Sequence, residues 1–121
     1  MNTVQTEHDE CVTLVEYLNI LVSQKKVVCF SHIPQETFTK SWKTKRKNKQ
    51  EGVHSGVPDY IIVIPSNIFF IEMKRVKGSV TSQAQKDWIE ALNTAGVPAF
   101  VAKGFDQAKS IIDTELNIDK A

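Results

Sequence analysis

The sequence contains few of the residues that hold small folds together by covalent or metal bonds. Only two cysteines occur among its 121 residues, Cys11 and Cys29. Both have apolar neighbours, so we expect buried, reduced thiols and no disulfide framework. The cysteines and the three histidines also lack the tight spacing of a zinc site. A chain of this length can bury enough surface to fold without such links, and we expect one domain over residues 1 to 121.

Long apolar runs are missing too. The longest, residues 60 to 64 and 97 to 102, are far shorter than the roughly 20 residues of a membrane-spanning helix. The N-terminal residues show no basic segment followed by an apolar one, which is the pattern of a signal peptide. These absences predict a cytoplasmic protein without a membrane partner. Glycine-rich phosphate loops and the His-Glu-x-x-His motif are also absent, which argues against P-loop enzymes and zinc proteases.

Charge is nearly balanced overall, with a net charge of +1, but it is unevenly distributed along the chain. Residues 40 to 50 contain six lysines and arginines and no acid. They belong to a segment, residues 33 to 56, that shows no sustained period and that we predict to be a long basic loop. Such a cluster is typical either of contact with a polyanion or of a solvated lysine-rich loop. Trp42 within it either stacks on an unpaired base or pins the loop to the fold.

Hydrophobic periodicity in the rest of the chain predicts an α/β fold. Helical spacing and short β-branched runs indicate the elements in this order: a helix at 8 to 24, strands at 27 to 30, 60 to 64 and 68 to 74, a helix beginning near Ser82, a strand at 97 to 102 and a last helix after Gly104. The second and third strands are close enough to form a hairpin. The order α-β-β-β-α-β-α predicts a mixed sheet flanked by helices.

The hairpin carries the residues with the clearest chemistry. Because strand side chains alternate, Glu72 and Lys74 point to one face at the end of an apolar strand. Asp59 begins the partner strand, so its carboxylate converges on them. Carboxylate oxygens suit Mg²⁺ or Mn²⁺, and metal-assisted phosphodiester hydrolysis uses two carboxylates and an ammonium group together. The alternative is a surface hairpin whose ion pair contributes about 0 to 1 kcal/mol.

The same residues form a recognisable motif. Pro58-Asp59, followed across the hairpin by Glu72-Met73-Lys74, resembles the PD-(D/E)XK motif of the restriction-endonuclease-like nucleases. Gly56-Val57 before the aspartate and Ser82-x-x-Gln85 at the next helix look like the VRR-NUC branch of that superfamily. The resemblance covers nearly the whole chain. It implies a restriction-endonuclease-like core in a stand-alone nuclease of the phage or bacterial type.

The resemblance also implies roles for individual residues. Asp59, Glu72 and the backbone carbonyl of Met73 would hold Mg²⁺ or Mn²⁺. Lys74 would position or activate the attacking water, and Gln85 would complete the site from the start of its helix. Contacts with the nucleic acid are expected from seven basic residues: Lys43, Lys45, Arg46, Lys47, Lys49, Arg75 and Lys77.

The family further implies a catalytic carboxylate from the first helix. Glu10 lies at the edge of the apolar stripe of that helix and matches this position better than Glu16, which faces away. Glu7 is also in line with the stripe but lies close to the predicted helix start, so it remains the alternative.

The predicted function is therefore metal-dependent endonuclease activity on DNA. Similar stand-alone proteins are homodimers that cut branched DNA such as four-way Holliday junctions, and the resemblance implies the same substrate and assembly here. Two alternatives remain open at this point. One is a nucleic-acid-binding module that does not cut, and the other is a sequence-specific endonuclease of the restriction type.

Overall fold

A computed structural model describes residues 6 to 34 and 41 to 117 of the chain. The elements, in chain order, are α1 (Glu7–Ser23), β1 (Cys29–His32), α2 (Trp42–Gln50), β2 (Tyr60–Ile64), β3 (Asn67–Lys74), α3 (Gln83–Thr94), β4 (Ala99–Lys103) and α4 (Phe105–Glu115). They confirm the predicted α/β class with a mixed sheet flanked by helices. None of the helices in the described ranges is long and apolar enough to cross a membrane.

The four strands form one sheet in the order β1-β2-β3-β4. β2 and β3 form the predicted antiparallel hairpin, in which Tyr60 pairs with Ile71. β1 joins the other side of β2, also antiparallel. β4 returns through α3 to lie parallel to β3, with Glu72 opposite Val101 and Lys74 opposite Lys103. The end of β3 that carries Glu72 and Lys74 therefore lies between β2 and β4, and backbone pairing holds it in place on both sides.

The core lies between one face of the sheet and the helices α1 and α4. Phe69, Ile71 and Met73 alternate along β3 and are fully buried on this face. Leu14 and Leu18 of α1 are equally buried and belong to the same cluster. Because Phe69, Ile71 and Met73 occupy this face, Glu72 and Lys74 must point to the opposite one.

The largest departure from the sequence-based expectation is α2. The segment from 33 to 56 was predicted to be a loop, but it contains the nine-residue helix Trp42–Gln50. Ser41 caps this helix by accepting a hydrogen bond from the backbone N–H of Thr44, and lysine and arginine are good helix formers. No apolar stripe accompanies the helix, so a search for hydrophobic periodicity could not find it. Residues 35 to 40 of the segment lie outside the described residues.

The cysteines also differ from expectation in part. Both thiols are free, but Cys11 is only half-buried and Cys29 is exposed. Cys29 begins β1, which lies two residues later than the strand predicted at 27 to 30. β1 is an edge strand of the sheet, and its side chains are mostly exposed, so apolar neighbours in the sequence do not bury this thiol.

Candidate active site

The β2–β3 hairpin brings Asp59 and Glu72 together. Tyr60 pairs with Ile71, so continuation of the antiparallel register places Asp59 opposite Glu72 and on the same face. The Asp59 carboxylate accepts a hydrogen bond from the backbone N–H of Met73 at 2.9 Å. On its other side, the Asp59 carbonyl accepts a hydrogen bond from the N–H of Ile33 at 2.6 Å. Asp59 is thus fixed by a backbone group of β3 and by one of Ile33, the residue that follows β1.

Glu72 is buried, with 3% of its surface exposed. Its Oε2 accepts a hydrogen bond from Nε2 of Gln85 at 2.9 Å. The Lys74 Nζ lies 3.5 Å from the same oxygen, and the Lys74 side chain is 12% exposed. The ion pair of the alternative interpretation is therefore present, but it is largely buried, so it is not the solvated surface pair which that alternative assumed.

Burial is the main reason that the pKa of Glu72 rises to about 8, and the nearby charge of Asp59 raises it further. The ammonium group of Lys74 acts in the opposite direction but does not compensate. Two carboxylates in a poorly solvated place repel each other, and one protonates unless additional positive charge is present. Without a bound cation, Glu72 therefore keeps its proton to a higher pH than an ordinary glutamate, because its ionisation would place a second negative charge beside Asp59.

Gln85 connects this pair to the start of α3. Its Oε1 accepts a hydrogen bond from the N–H of Ser82 at 2.9 Å, and the Ser82 hydroxyl accepts one from the N–H of Gln85 at 3.2 Å. This reciprocal capping box fixes the side chain of Gln85. Its amide nitrogen is then held in position to donate to Glu72. The Ser82-x-x-Gln85 motif thus sets both the helix start and the orientation of a site carboxylate.

The donor set fits a hard divalent cation. Asp59 and Glu72 offer carboxylate oxygens, which Mg²⁺ and Mn²⁺ prefer. The pKa of Glu72 is raised by burial and by the charge of Asp59, and a bound cation would offset both effects. The described residues contain no group of three or more histidine, cysteine, aspartate or glutamate side chains arranged as a metal cage. Two carboxylates are nevertheless sufficient for Mg²⁺, which typically keeps several waters and takes other ligands from substrate phosphates.

Glu10, the α1 carboxylate that the family resemblance implies for the site, forms a hydrogen bond with α4. It is buried, with 8% of its surface exposed, and its Oε2 accepts a hydrogen bond from the N–H of Phe105 at 2.6 Å. Phe105 begins α4, whose N-cap residue, Gly104, has no side chain to cap the helix. The carboxylate of Glu10 therefore supplies that cap from α1, where it also interacts favourably with the helix dipole.

Glu7 is the α1 carboxylate that lies near Tyr60, the residue that follows Asp59 in the chain. It is the first residue of α1, and it lines a cavity of about 560 Å³ together with Cys11 and Tyr60. Burial, the hydrogen bond with Cys11 and the charges of Asp59 and Glu7 all raise the pKa of Tyr60. The sequence favours Glu10 over Glu7 because Glu7 lies close to the predicted start of the helix. Its spacing of four and seven residues before Cys11 and Leu14 was the available signal.

The comparison with known proteins agrees with this geometry. The VRR-NUC domain family matches residues 4 to 106 of the chain. The chain belongs to the VRR-NUC family. A solved structure, a VRR_NUC domain protein, is similar with a TM-score of 0.71 and 26% identity, over 93% of this chain and 89% of that chain. No curated protein matches the chain. VRR-NUC domains are nuclease-type modules that process nucleic acid.

The basic residues of this VRR-NUC chain lie in two places. Five of them lie in the segment that was predicted to be a loop and are exposed along α2: Lys43, Lys45, Arg46, Lys47 and Lys49. Arg75 and Lys77 are exposed in the turn that follows β3. The guanidinium group of Arg75 donates to the Gly78 carbonyl at 3.1 Å, so this side chain also stabilises its own turn.

The raised pKa of Glu72 predicts how stability changes with pH when no divalent cation is present. A carboxyl group whose folded pKa lies near 8 instead of 4.5 binds a proton more tightly in the folded state. The stabilisation of the folded state by the protonated Glu72 carboxyl is therefore complete below about pH 4.5. It is lost as the pH rises through 8. In EDTA, we expect the melting temperature to fall between pH 6 and pH 8.5, as measured by thermal unfolding.

Two variants test the origin of that fall. Glu72→Gln should flatten the pH dependence because it removes the titrating group. Glu90→Gln, on the exposed face of α3, should keep the wild-type profile. A wild-type melting temperature that rises over this pH window would contradict the assignment.

Proposed function

We propose that the protein is a metal-dependent endonuclease that hydrolyses phosphodiester bonds in DNA. The observation that carries the proposal is the buried Glu72 carboxylate, opposite Asp59 and 3.5 Å from the Lys74 ammonium group. Its burial disfavours a purely structural role because a buried ion pair is weak support for stability. The same three groups together provide metal ligation and positive charge for a phosphate.

Asp59 and Glu72, with the backbone carbonyl of Met73, would hold Mg²⁺ or Mn²⁺. Such an ion, when bound, polarises the scissile phosphate and neutralises the charge that develops on it. Lys74 donates hydrogen bonds to the attacking water or to a non-bridging phosphate oxygen, where its charge stabilises the transition state. Gln85 keeps the Glu72 carboxylate in one orientation through its 2.9 Å hydrogen bond, so the ligand geometry is set before substrate arrives.

The basic residues supply affinity for the DNA backbone. The α2 cations and Arg75 and Lys77 are exposed, and lysine and arginine contacts to phosphates release counterions and make binding strongly dependent on salt. Such contacts fix register and orientation without reading sequence. This supports a structure-selective substrate more than a sequence-specific one.

Branched DNA such as a four-way junction is the proposed substrate, and a homodimer is the proposed assembly. Both come from the VRR-NUC resemblance. The chemistry agrees with a dimer because one site cuts one strand, and two symmetric nicks in a junction require two sites related by a twofold axis.

The α1 carboxylate in this site is proposed to be Glu7, and its role is separable from that of Glu10. Glu10→Ala should lower the free energy of unfolding by about 1 to 2 kcal/mol because α4 loses its cap. Glu7→Gln should slow cleavage without destabilising the fold, since its side chain is exposed. Urea unfolding and single-turnover cleavage, measured on both variants, test this. The reverse pattern would return the catalytic role to Glu10.

The experiment that tests the proposed function is a cleavage assay on four labelled substrates: a four-way junction, a flap, a linear duplex and a single strand. Each is incubated with Mg²⁺, with Mn²⁺ or with EDTA. We expect metal-dependent nicking that is fastest on branched DNA and absent in EDTA. Binding that persists in EDTA while no substrate is cut with either metal would favour a module that binds DNA without cutting it.

A further inference from the structure

The outward face of α2 combines an aromatic ring with two cations. Thr44 and Asn48, four residues apart, are the half-buried residues of this helix, so the face they share is turned towards the protein. At about 100° per residue, Trp42, Arg46 and Lys49 lie on the opposite face. We call these three residues the α2 outer stripe. They extend over about 10 Å of the helix axis.

The ring of Trp42 is free of the protein core. Its exposure is 83%, which rules out the alternative that it pins this segment to the fold. The second tryptophan, Trp88 of α3, is half-buried and has the ring of His54 at a centroid distance of 6.5 Å. An indole this exposed is uncommon on the surface of a protein and is a strong candidate for contact with a ligand.

The charge around Trp42 determines which ligand class fits. α2 contains five cations and no acid. Of the two ion pairs found among the described residues, one lies within β3 and the other within α4. The positive charge of α2 is thus available to a polyanion. An aromatic ring interleaved with cations is the arrangement that proteins use for single strands, where bases stack on the ring and the cations contact the phosphates.

We propose that the α2 outer stripe binds unpaired nucleotides of the DNA substrate. Trp42 stacks on an exposed base, and Arg46 and Lys49 contact the adjoining phosphates. Bases within a duplex are already stacked on both faces, so only an unpaired base can use the ring. This proposal rests on the proposed function for DNA as the ligand. Among branched DNAs, it favours those with a single-stranded segment, such as a flap or a gapped junction, over a fully paired four-way junction.

Binding measured without divalent metal tests the proposal apart from cleavage. A labelled short single strand and a duplex of the same length are titrated with protein in EDTA. Trp42→Ala should weaken single-strand binding by about tenfold, equivalent to about 1.4 kcal/mol, and leave duplex binding unchanged. Val80→Ala is the matched control because Val80 is 84% exposed and lies outside α2, and it should bind both ligands as wild type does.

An abasic strand separates stacking from charge. On a strand of sugar and phosphate without bases, wild type and Trp42→Ala should bind equally. Arg46→Ala and Lys49→Ala should each lower the slope of log K against log salt by about 0.7, as expected for one phosphate contact on a single strand. A Trp88→Phe protein, in which Trp42 is the remaining indole, should lose fluorescence when a base-containing strand binds.

The results also distinguish this proposal from the proposed function. Equal loss of single-strand and duplex affinity in Trp42→Ala, or no loss of either, would overturn the assignment of Trp42 even if the protein cuts DNA. A selective loss of single-strand affinity would support it even if no cleavage is found with any metal.

Discussion

Replacing Lys74 with methionine should lower the rate of DNA cleavage by about 100-fold or more. Methionine has a similar length but no charge, so the variant removes the ammonium group that lies 3.5 Å from Glu72. In the proposed reaction this group stabilises negative charge on the phosphate in the transition state, where fixed charges have their largest effect. The rate is measured under single-turnover conditions with saturating Mn²⁺, so that weaker DNA binding does not mimic a chemical defect.

The matched control is Lys103→Met. Lys103 pairs with Lys74 in the parallel register of β3 and β4, but it is exposed, and the ion pair of Glu72 is with Lys74. Lys103→Met should change the cleavage rate only slightly. If any loss of positive charge at this end of the sheet were enough to slow cleavage, Lys103→Met and Lys74→Met would slow it alike. Lys74→Arg, which retains the charge, should keep more activity than Lys74→Met. Equal rates for Lys74→Met and wild type would remove Lys74 from the mechanism.

Replacing Gly56 with alanine should lower the free energy of unfolding by about 3 kcal/mol. Gly56 has φ +91°, which an L-residue rarely adopts, and an added Cβ would lie 2.5 Å from the carbonyl carbon of Ala84 and 2.6 Å from its oxygen. Ala84 belongs to the first turn of α3, whose capping box fixes Gln85. The clash is with backbone, so the loop before Asp59 and the start of α3 must separate, and cleavage should fall as well.

Gly52→Ala provides the control for the backbone conformation alone. Gly52 also has a positive φ, +79°, but an added Cβ there has no atom within 4 Å. We expect a loss of about 1 kcal/mol from the left-handed conformation and little change in cleavage. Urea unfolding of both variants isolates the effect of the close approach to α3. Similar losses in the two variants would mean that the contact with Ala84 adds nothing.

The parts of the fold that the sequence predicted share one property: their signal is local. β2 and β3 are short runs rich in β-branched and aromatic residues, separated by turn residues. The alternation of side-chain direction along a strand then places Glu72 and Lys74 on one face, with Asp59 opposite. The Ser82-x-x-Gln85 capping box is likewise contained within one turn of helix. These local patterns were sufficient for the predicted α/β class and for the face of the sheet on which the site lies.

The parts that sequence reasoning missed depend on distant contacts or lack a hydrophobic period. The partner of Glu10 is the N–H of Phe105, 95 residues later in the chain, and no local pattern reports such a cap. α2 has no apolar stripe, so only its cap at Ser41 and its helix-forming residues could have indicated it. The exposure of Trp42 likewise depends on how α2 lies against the rest of the fold.

The most direct test of the account is the single-turnover cleavage rate of Asp59→Asn on branched DNA with Mn²⁺, compared with wild type. Asparagine can still accept the hydrogen bond from the Met73 N–H, so the hairpin should keep its structure and its melting temperature. The change removes one carboxylate charge from the proposed metal site. We predict a folded protein that binds DNA but cuts it at least about 100-fold more slowly. A folded Asp59→Asn protein that cuts at the wild-type rate would contradict the assignment of Asp59 and Glu72 as the catalytic metal site.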